Sequence, residues 1–278
     1  MESVKIVTDS TADLPADVVE KYGISIVPLK IFFGEEEYRD GIDITPDEFY
    51  KKLRTSPHHP RTSQPPPTEF VECFKKLANN ATRVISIHLS GKLSGTYNSA
   101  VVAGSMVDIP VDVVDSQGAS MMLGFMAIEA AKAAREGKQA GEILDTVEDL
   151  KKRIRIYFLV DTLEYLRKGG RIGRAAALLG NLLNVKPVLT IEDGLITPVE
   201  RIRGKAKALN KLLEKISQDA ARGPLTGAVV HSDCLEEASR FKKVIEERFE
   251  FRELYLTTLG CVLGAHSGPG LIGVVYYY

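Results

Sequence analysis

Residues Arg83 to Ala100, RVISIHLSGKLSGTYNSA, constrain the fold more than any other stretch of the chain. The first half, Val84-Ile85-Ser86-Ile87-His88-Leu89, is rich in β-branched residues and alternates, which predicts a strand. The second half, from Tyr97-Asn98-Ser99 into Ala100-Val101-Val102-Ala103, predicts a helix. Between them Gly91, Ser94, Gly95 and Thr96 form a strand-to-helix turn dense in small and hydroxyl residues. The first turn of such a helix has N–H groups without internal partners and a partial positive charge, so it receives a carboxylate or phosphate well. A lone Ser94 would read as a helix cap. The density of hydroxyls around it favours a ligand site.

Strands and helices continue to alternate on both sides. Val4–Val7 predicts a strand, a helix follows Asp13 and Pro15 to about Tyr22, and Ile24–Val27 predicts a second strand. The cluster Thr8–Thr11 then lies at the C-terminal end of the first strand. In open α/β sheets that edge binds ligands, although an Asx-type turn built on Asp9 and Ser10 fits equally. Lys30–Gly41 reads as a hairpin, and Thr45-Pro46-Asp47-Glu48 as a capping box. Pro65-Pro66-Pro67 holds an extended, rigid loop that presents Thr62 and Ser63, and Thr68 is placed to cap the next helix. The helix from Ala119 carries Met121, Met122 and Met126, which suits either a core or an adaptable apolar tunnel. A strand at Ile156–Val160 opens a second unit, so the expected domains are 1–155 and 156–278. In the second, Lys168–Arg174 reads as an electropositive surface loop, Ala175–Leu183 as a helix, and Gly264–Gly270 as a glycine-rich loop. A helix at 205–221, a strand at 226–230, a helix at 235–248 and a strand at 253–257 complete it.

Several chemistries are excluded. With 36 cationic and 37 acidic side chains there is no global field to favour nucleic acid or an anionic membrane. No apolar run reaches membrane-span length. Cys73, Cys234 and Cys261 are scattered and odd in number, as expected of reduced thiols. The start, Met1-Glu2-Ser3-Val4, has no leader pattern, and the expected location is cytoplasmic. The adjacent His58 and His59 lack any further metal-like spacing, so no metal is expected. Gly268-Pro269-Gly270-Leu271-Ile272-Gly273 matches a dinucleotide fingerprint as text but precedes no helix. Lys92 and Thr96 occupy the positions where a nucleophile elbow around Ser94 needs glycines. No Walker loop is present.

Taken in order, the loops resemble the DegV family. The matching stretches are Thr8-Asp9-Ser10-Thr11-Ala12-Asp13-Leu14-Pro15, Thr62-Ser63-Gln64-Pro65, Ser90-Gly91-Lys92-Leu93-Ser94-Gly95-Thr96-Tyr97, Lys168-Gly169-Gly170-Arg171-Ile172-Gly173, Lys186-Pro187 and His266-Ser267-Gly268-Pro269-Gly270. The resemblance implies two α/β domains, the N-terminal one with a mostly parallel sheet and the C-terminal one with a mixed sheet, holding a ligand in the cleft between them. It implies that the ligand is a long-chain fatty acid of the palmitate or oleate kind, with no cofactor. It further implies a non-catalytic subunit that presents the lipid to a separate ATP-binding fatty acid kinase. On this resemblance Thr62, Ser94 and His266 hydrogen-bond the carboxylate, and Arg171 faces the partner or the incoming phosphoryl group. A fatty acid needs a polar clamp and a long apolar sleeve; the Met121–Ile128 and Ala175–Leu183 segments are candidates for the sleeve. Two readings compete. A serine hydrolase or acyltransferase would use Ser94 and His266, and a self-contained kinase would bind ATP by itself.

Overall fold

The computed structural model describes residues 3–179 and 185–278. The chain begins with β1 (Val4–Asp9), a 3-10 turn (Ser10–Ala12), α1 (Ala16–Tyr22), β2 (Ser25–Val27), β3 (Lys30–Phe33), β4 (Glu36–Arg39) and α2 (Pro46–Thr55). It continues through β5 (Arg61–Ser63), α3 (Pro67–Ala78), β6 (Arg83–His88), α4 (Thr96–Gly104), β7 (Val111–Asp115), α5 (Met121–Arg135) and α6 (Ala140–Arg153). The remainder comprises β8 (Arg155–Leu159), α7 (Glu164–Lys168), a 3-10 helix (Gly173–Leu178), β9 (Val185–Glu192), β10 (Leu195–Arg203), α8 (Lys205–Ala220), β11 (Leu225–His231), α9 (Leu235–Arg248), β12 (Phe251–Thr258), α10 (Cys261–Ser267) and β13 (Ile272–Tyr277).

The fold is α/β. Strands β2-β1-β6-β7 form an all-parallel sheet, as helical crossovers demand. Phe70, Phe74 and Ala100 from α3 and α4 pack on one of its faces against Val7 and Val84. The apolar α5 packs on the other. Strands β10-β9-β8-β13-β11-β12 form the second sheet, which is mixed: β11 and β12 are parallel, and β13 is antiparallel to both its neighbours. Leu212 and Ile216 of α8 and Phe241 and Ile245 of α9 cover its outer face. Its inner face contributes Phe158, Val230 and Val275 to a core continuous with Ile85, Ile87 and Phe125 of the first layer.

Four expectations change. The extended loop before the prolines is partly strand: β5 pairs with β3 to make a small antiparallel sheet β4-β3-β5, placing Thr62 opposite Ile31. The following helix starts at Pro67, whose missing N–H costs nothing in a first turn, so Thr68 is inside the helix and caps nothing. Ala175–Leu178 is 3-10 rather than α-helical, and residues 180–183 of that expected helix lie outside the described residues. The segment expected to be a glycine-rich loop is helical up to Ser267. Its Gly264 lets α10 close on α2: a Cβ there would stand 2.6 Å from the Tyr50 hydroxyl and 2.9 Å from the Phe49 ring. His266 is therefore carried on a helix.

Candidate functional site

Between the two sheets lies a cavity with about 210 Å³ accessible to the centre of a water molecule, room for many waters by volume. Leu29, Leu89, Leu93, Ser94, Ala119 and Ser120 approach it from beyond the C-terminal ends of β2, β6 and β7. That is the ligand-binding edge of a parallel sheet. The opposite wall is the apolar inner face of the mixed sheet, with Ile156, Phe158, Val230, Gly273 and Val275, closed on one side by Val262, Leu263 and His266 of α10. Neither the Met121–Ile128 run nor Ala175–Leu178 lines it. The former is almost wholly buried in the core, so packing accounts for its methionines.

Thr62, Ser94, Arg171 and His266 all line this cavity, and a chain of contacts gathers them. The Thr62 hydroxyl lies 2.8 Å from Nε2 of His266. His266 presses against the backbone at Gly169: a Cβ there would sit 2.0 Å from its Nδ1. Arg171 is not a loose surface charge. Its guanidinium donates to the Gly169 carbonyl (2.7 Å) and to the Leu93 carbonyl (3.0 Å), bridging the cationic loop to the residue before Ser94. Gln64, two residues after Thr62, packs against Gly95 and completes the ring. The N–H of Thr96 donates to the Ser94 hydroxyl (3.3 Å), so Ser94 closes the turn ahead of α4, whose N-cap is Gly95, and lines the cavity as well.

Burial, with the positive charges of Arg171 and of His59 if protonated, pushes the His266 pKa down to about 4. The imidazole is neutral at neutral pH, and its Nδ1 has no hydrogen-bond partner among the described residues. That argues against a hydrolase. A serine triad needs a base bonded to the nucleophile and a carboxylate orienting the base. Here Nε2 bonds to Thr62, no acid backs Nδ1, and Ser94 pairs with the Thr96 hydroxyl at 2.9 Å. A second Ser–His–Asp array does exist: Ser86 lies 2.6 Å from Nε2 of His88, and Asp9 lies 2.9 Å from its Nδ1. All three are sealed at 0% exposure. Asp9 also accepts from the N–H groups of Thr11 and Leu89. The Thr8–Thr11 cluster is thus a structural turn that ties β1 to β6, and it does not line the cavity.

The tertiary roles of Asp13 and Ser120 escaped the sequence reading, and Asp13 does not cap α1, which has Pro15 at its N-cap. Ser120 precedes α5 in the manner of an N-cap, but at φ 55° and ψ −147° it caps nothing. Its hydroxyl donates instead to Asp13, which also accepts from the Gly260 N–H (2.8 Å), while Asp40 accepts from the Cys261 N–H (3.1 Å). Two carboxyl groups from the first half of the chain therefore accept from the N–H groups that open α10. Nothing in local spacing reveals this, because Asp13 and Gly260 are 247 residues apart.

Among the described residues no helix is long and apolar enough to cross a membrane, and no group of three or more His, Cys, Asp and Glu could hold a metal ion. A family model described as "Uncharacterised protein, DegV family" matches residues 3–278. Protein DegV of Bacillus subtilis (strain 168) is 38% identical over 279 residues, covering 99% of each chain. Among solved structures, the one described as showing fatty acid binding of a DegV family protein from Thermus thermophilus superposes with a TM-score of 0.93 at 37% identity, over 100% of this chain and 99% of that one. A stearic-acid-binding protein from Eubacterium ventriosum superposes with a TM-score of 0.91 at 30% identity, over 99% and 98%.

Proposed function

The chain belongs to the DegV family, and from that premise we propose that it binds a long-chain fatty acid between its two sheets. The observation that carries this is the cavity itself: Thr62, Ser94, Arg171 and His266 are gathered by contacts, and most of the remaining lining is aliphatic. That is the division a single carboxylate with a long tail requires. An imidazole protonated on Nε2 donates to the Thr62 oxygen, which frees the Thr62 proton for the carboxylate. Ser94 supplies a second donor at the first turn of α4. Both donors are neutral, so the bound carboxylate keeps its nucleophilicity.

The finer proposal is that the protein does not catalyse by itself. It presents the carboxylate to a separate ATP-binding kinase subunit that forms the acyl phosphate. Arg171 supports this reading, because a planar guanidinium fixed by two carbonyls beside the clamp suits a phosphoryl oxygen or a partner's carboxylate.

Native mass spectrometry of the purified protein, followed by organic extraction, tests the core claim. The expected mass exceeds that of the bare chain by one fatty acid. A bare chain that stays bare after incubation with palmitate or oleate overturns it. Acyl phosphate should form when a cognate ATP-binding partner and ATP are added, and not without the partner.

A further inference from the structure

The cavity ends where two strands part. Along β13 the inward-facing residues run from Leu271, just after α10, through Gly273 to Val275, leading away from His266. Val275 lies opposite Ile156 on β8, and Ile191 lies opposite Ile196 across the β9–β10 hairpin. The β8–β9 ladder itself spans Phe158–Leu189 and Leu159–Val188. Continuing that register sets Ile156 beside Ile191, but there the Thr190 hydroxyl bonds to the Ile156 carbonyl (2.6 Å), a side-chain link where a ladder would use backbone amides. At this seam a second cleft opens, with about 440 Å³ accessible to a water centre. Tyr157, Thr197 and Lys215 line it as well as Met122 and Ile154, so it reaches past the sheet. Ile156 and Ile191 line both spaces. They are the shared wall.

We propose that Ile156 and Ile191 form the end stop that sets which acyl chain length the cavity accepts, an inference that rests on the fatty acid reading above. β-Branched side chains hold one preferred χ1 in many settings, so such a wall has a fixed position. The cleft behind it includes two buried apolar side chains, Met122 and Ile154, at 7% and 3% exposed. Lys151, Glu192 and Lys215 line the same cleft. Trimming the wall therefore opens the sleeve into the cleft behind it, where Met122 and Ile154 can meet a longer tail.

The test loads delipidated wild type, Ile191→Ala, Ile156→Ala and Ile191→Phe with an equimolar mixture of saturated acids from laurate to behenate, and reads occupancy by native mass spectrometry. Ile191 is only partly buried, so its truncation leaves the fold intact. Both alanine variants should raise arachidate over palmitate occupancy by about tenfold relative to wild type, the worth of roughly two methylenes. Ile191→Phe should shift the profile to shorter acids. If Ile191→Ala and Ile191→Phe bind the wild-type distribution, the end stop is refuted while fatty acid binding stands. If wild type takes up no acid at all, the binding reading fails first and the end stop with it.

Discussion

Thr62 and Ser94 each bring a hydroxyl to the cavity, and each hydroxyl is committed to a neighbour there, His266 and Thr96 respectively. A hydrogen bond to a charged group is worth roughly 1.5–3 kcal/mol, so Thr62→Ala and Ser94→Ala should each weaken fatty acid binding by about one to two orders of magnitude. Isothermal titration of delipidated protein reads this directly, with circular dichroism to confirm the fold. Unchanged affinity in Ser94→Ala would reduce that serine to its turn bond with Thr96. His266 adds a pH signature. Its pKa falls from an ordinary 6.5 to about 4 on burial, so the unfolded chain takes up a proton in that window and the folded protein does not. Stability attributable to His266 is therefore intact above about 6.5 and lost as the pH falls toward 4. His266→Gln should flatten this part of a Tm-against-pH profile. The same slope in the variant would assign it to other groups.

The elements that bring these side chains together were legible to different degrees. Strand β6, its turn and α4 follow from a period-2 run meeting small hydroxyl residues. Helix α9 was readable to the residue because its periodicity agrees with the face it packs, Ala238, Phe241 and Ile245. Helix α10 was not, since Gly264 and the following Gly-Pro-Gly are loop signals locally, and only the close approach of Phe49 and Tyr50 explains a helix there. The pairing of β5 with β3 was likewise hidden, because a three-residue strand has no periodicity to read. Of the clamp, Thr62, Ser94, Arg171 and His266 were singled out from their motifs. The bridge from Arg171 to Leu93 is tertiary, and no spacing rule carries it. The junction of α7 with α10 can be probed by itself. Gly169→Ala puts a methyl where the His266 ring stands, and such overpacking costs typically about 1–3 kcal/mol. It should weaken fatty acid binding by about tenfold or more by displacing the His266 ring, measured beside Arg167→Ala as an exposed control. Binding at wild-type strength would mean that His266 can shift without consequence.

At the scale of the molecule, Asp13 and Asp40 tie the first half of the chain to the helix that carries the clamp. Burial, reinforced by the neighbouring Asp40 and Asp9 charges, pushes Asp13 up to about 8, against the weaker opposing pull of its Ser120 and Gly260 hydrogen bonds. A carboxyl raised in the folded state contributes stability fully below about 4 and loses it as the pH rises through 8. Denaturant unfolding of wild type and Asp13→Asn across that range should diverge with this sign; parallel profiles would show that the group titrates as it does in the unfolded chain. The contacts that make the site also span the chain: Thr62 to His266 crosses 204 residues, and Tyr50 to the Leu259 carbonyl crosses 209. Strand β13, the last in sequence, sits inside the second sheet between β8 and β11. A chain leaving the ribosome therefore has its first parallel sheet in hand long before β8 and β11 can be joined through β13, and until then the apolar inner face of the second half stands open. The cavity between the sheets is complete only once β13 is in place. If the proposed fatty acid binds there, it can stabilise only a chain whose last strand is already in place.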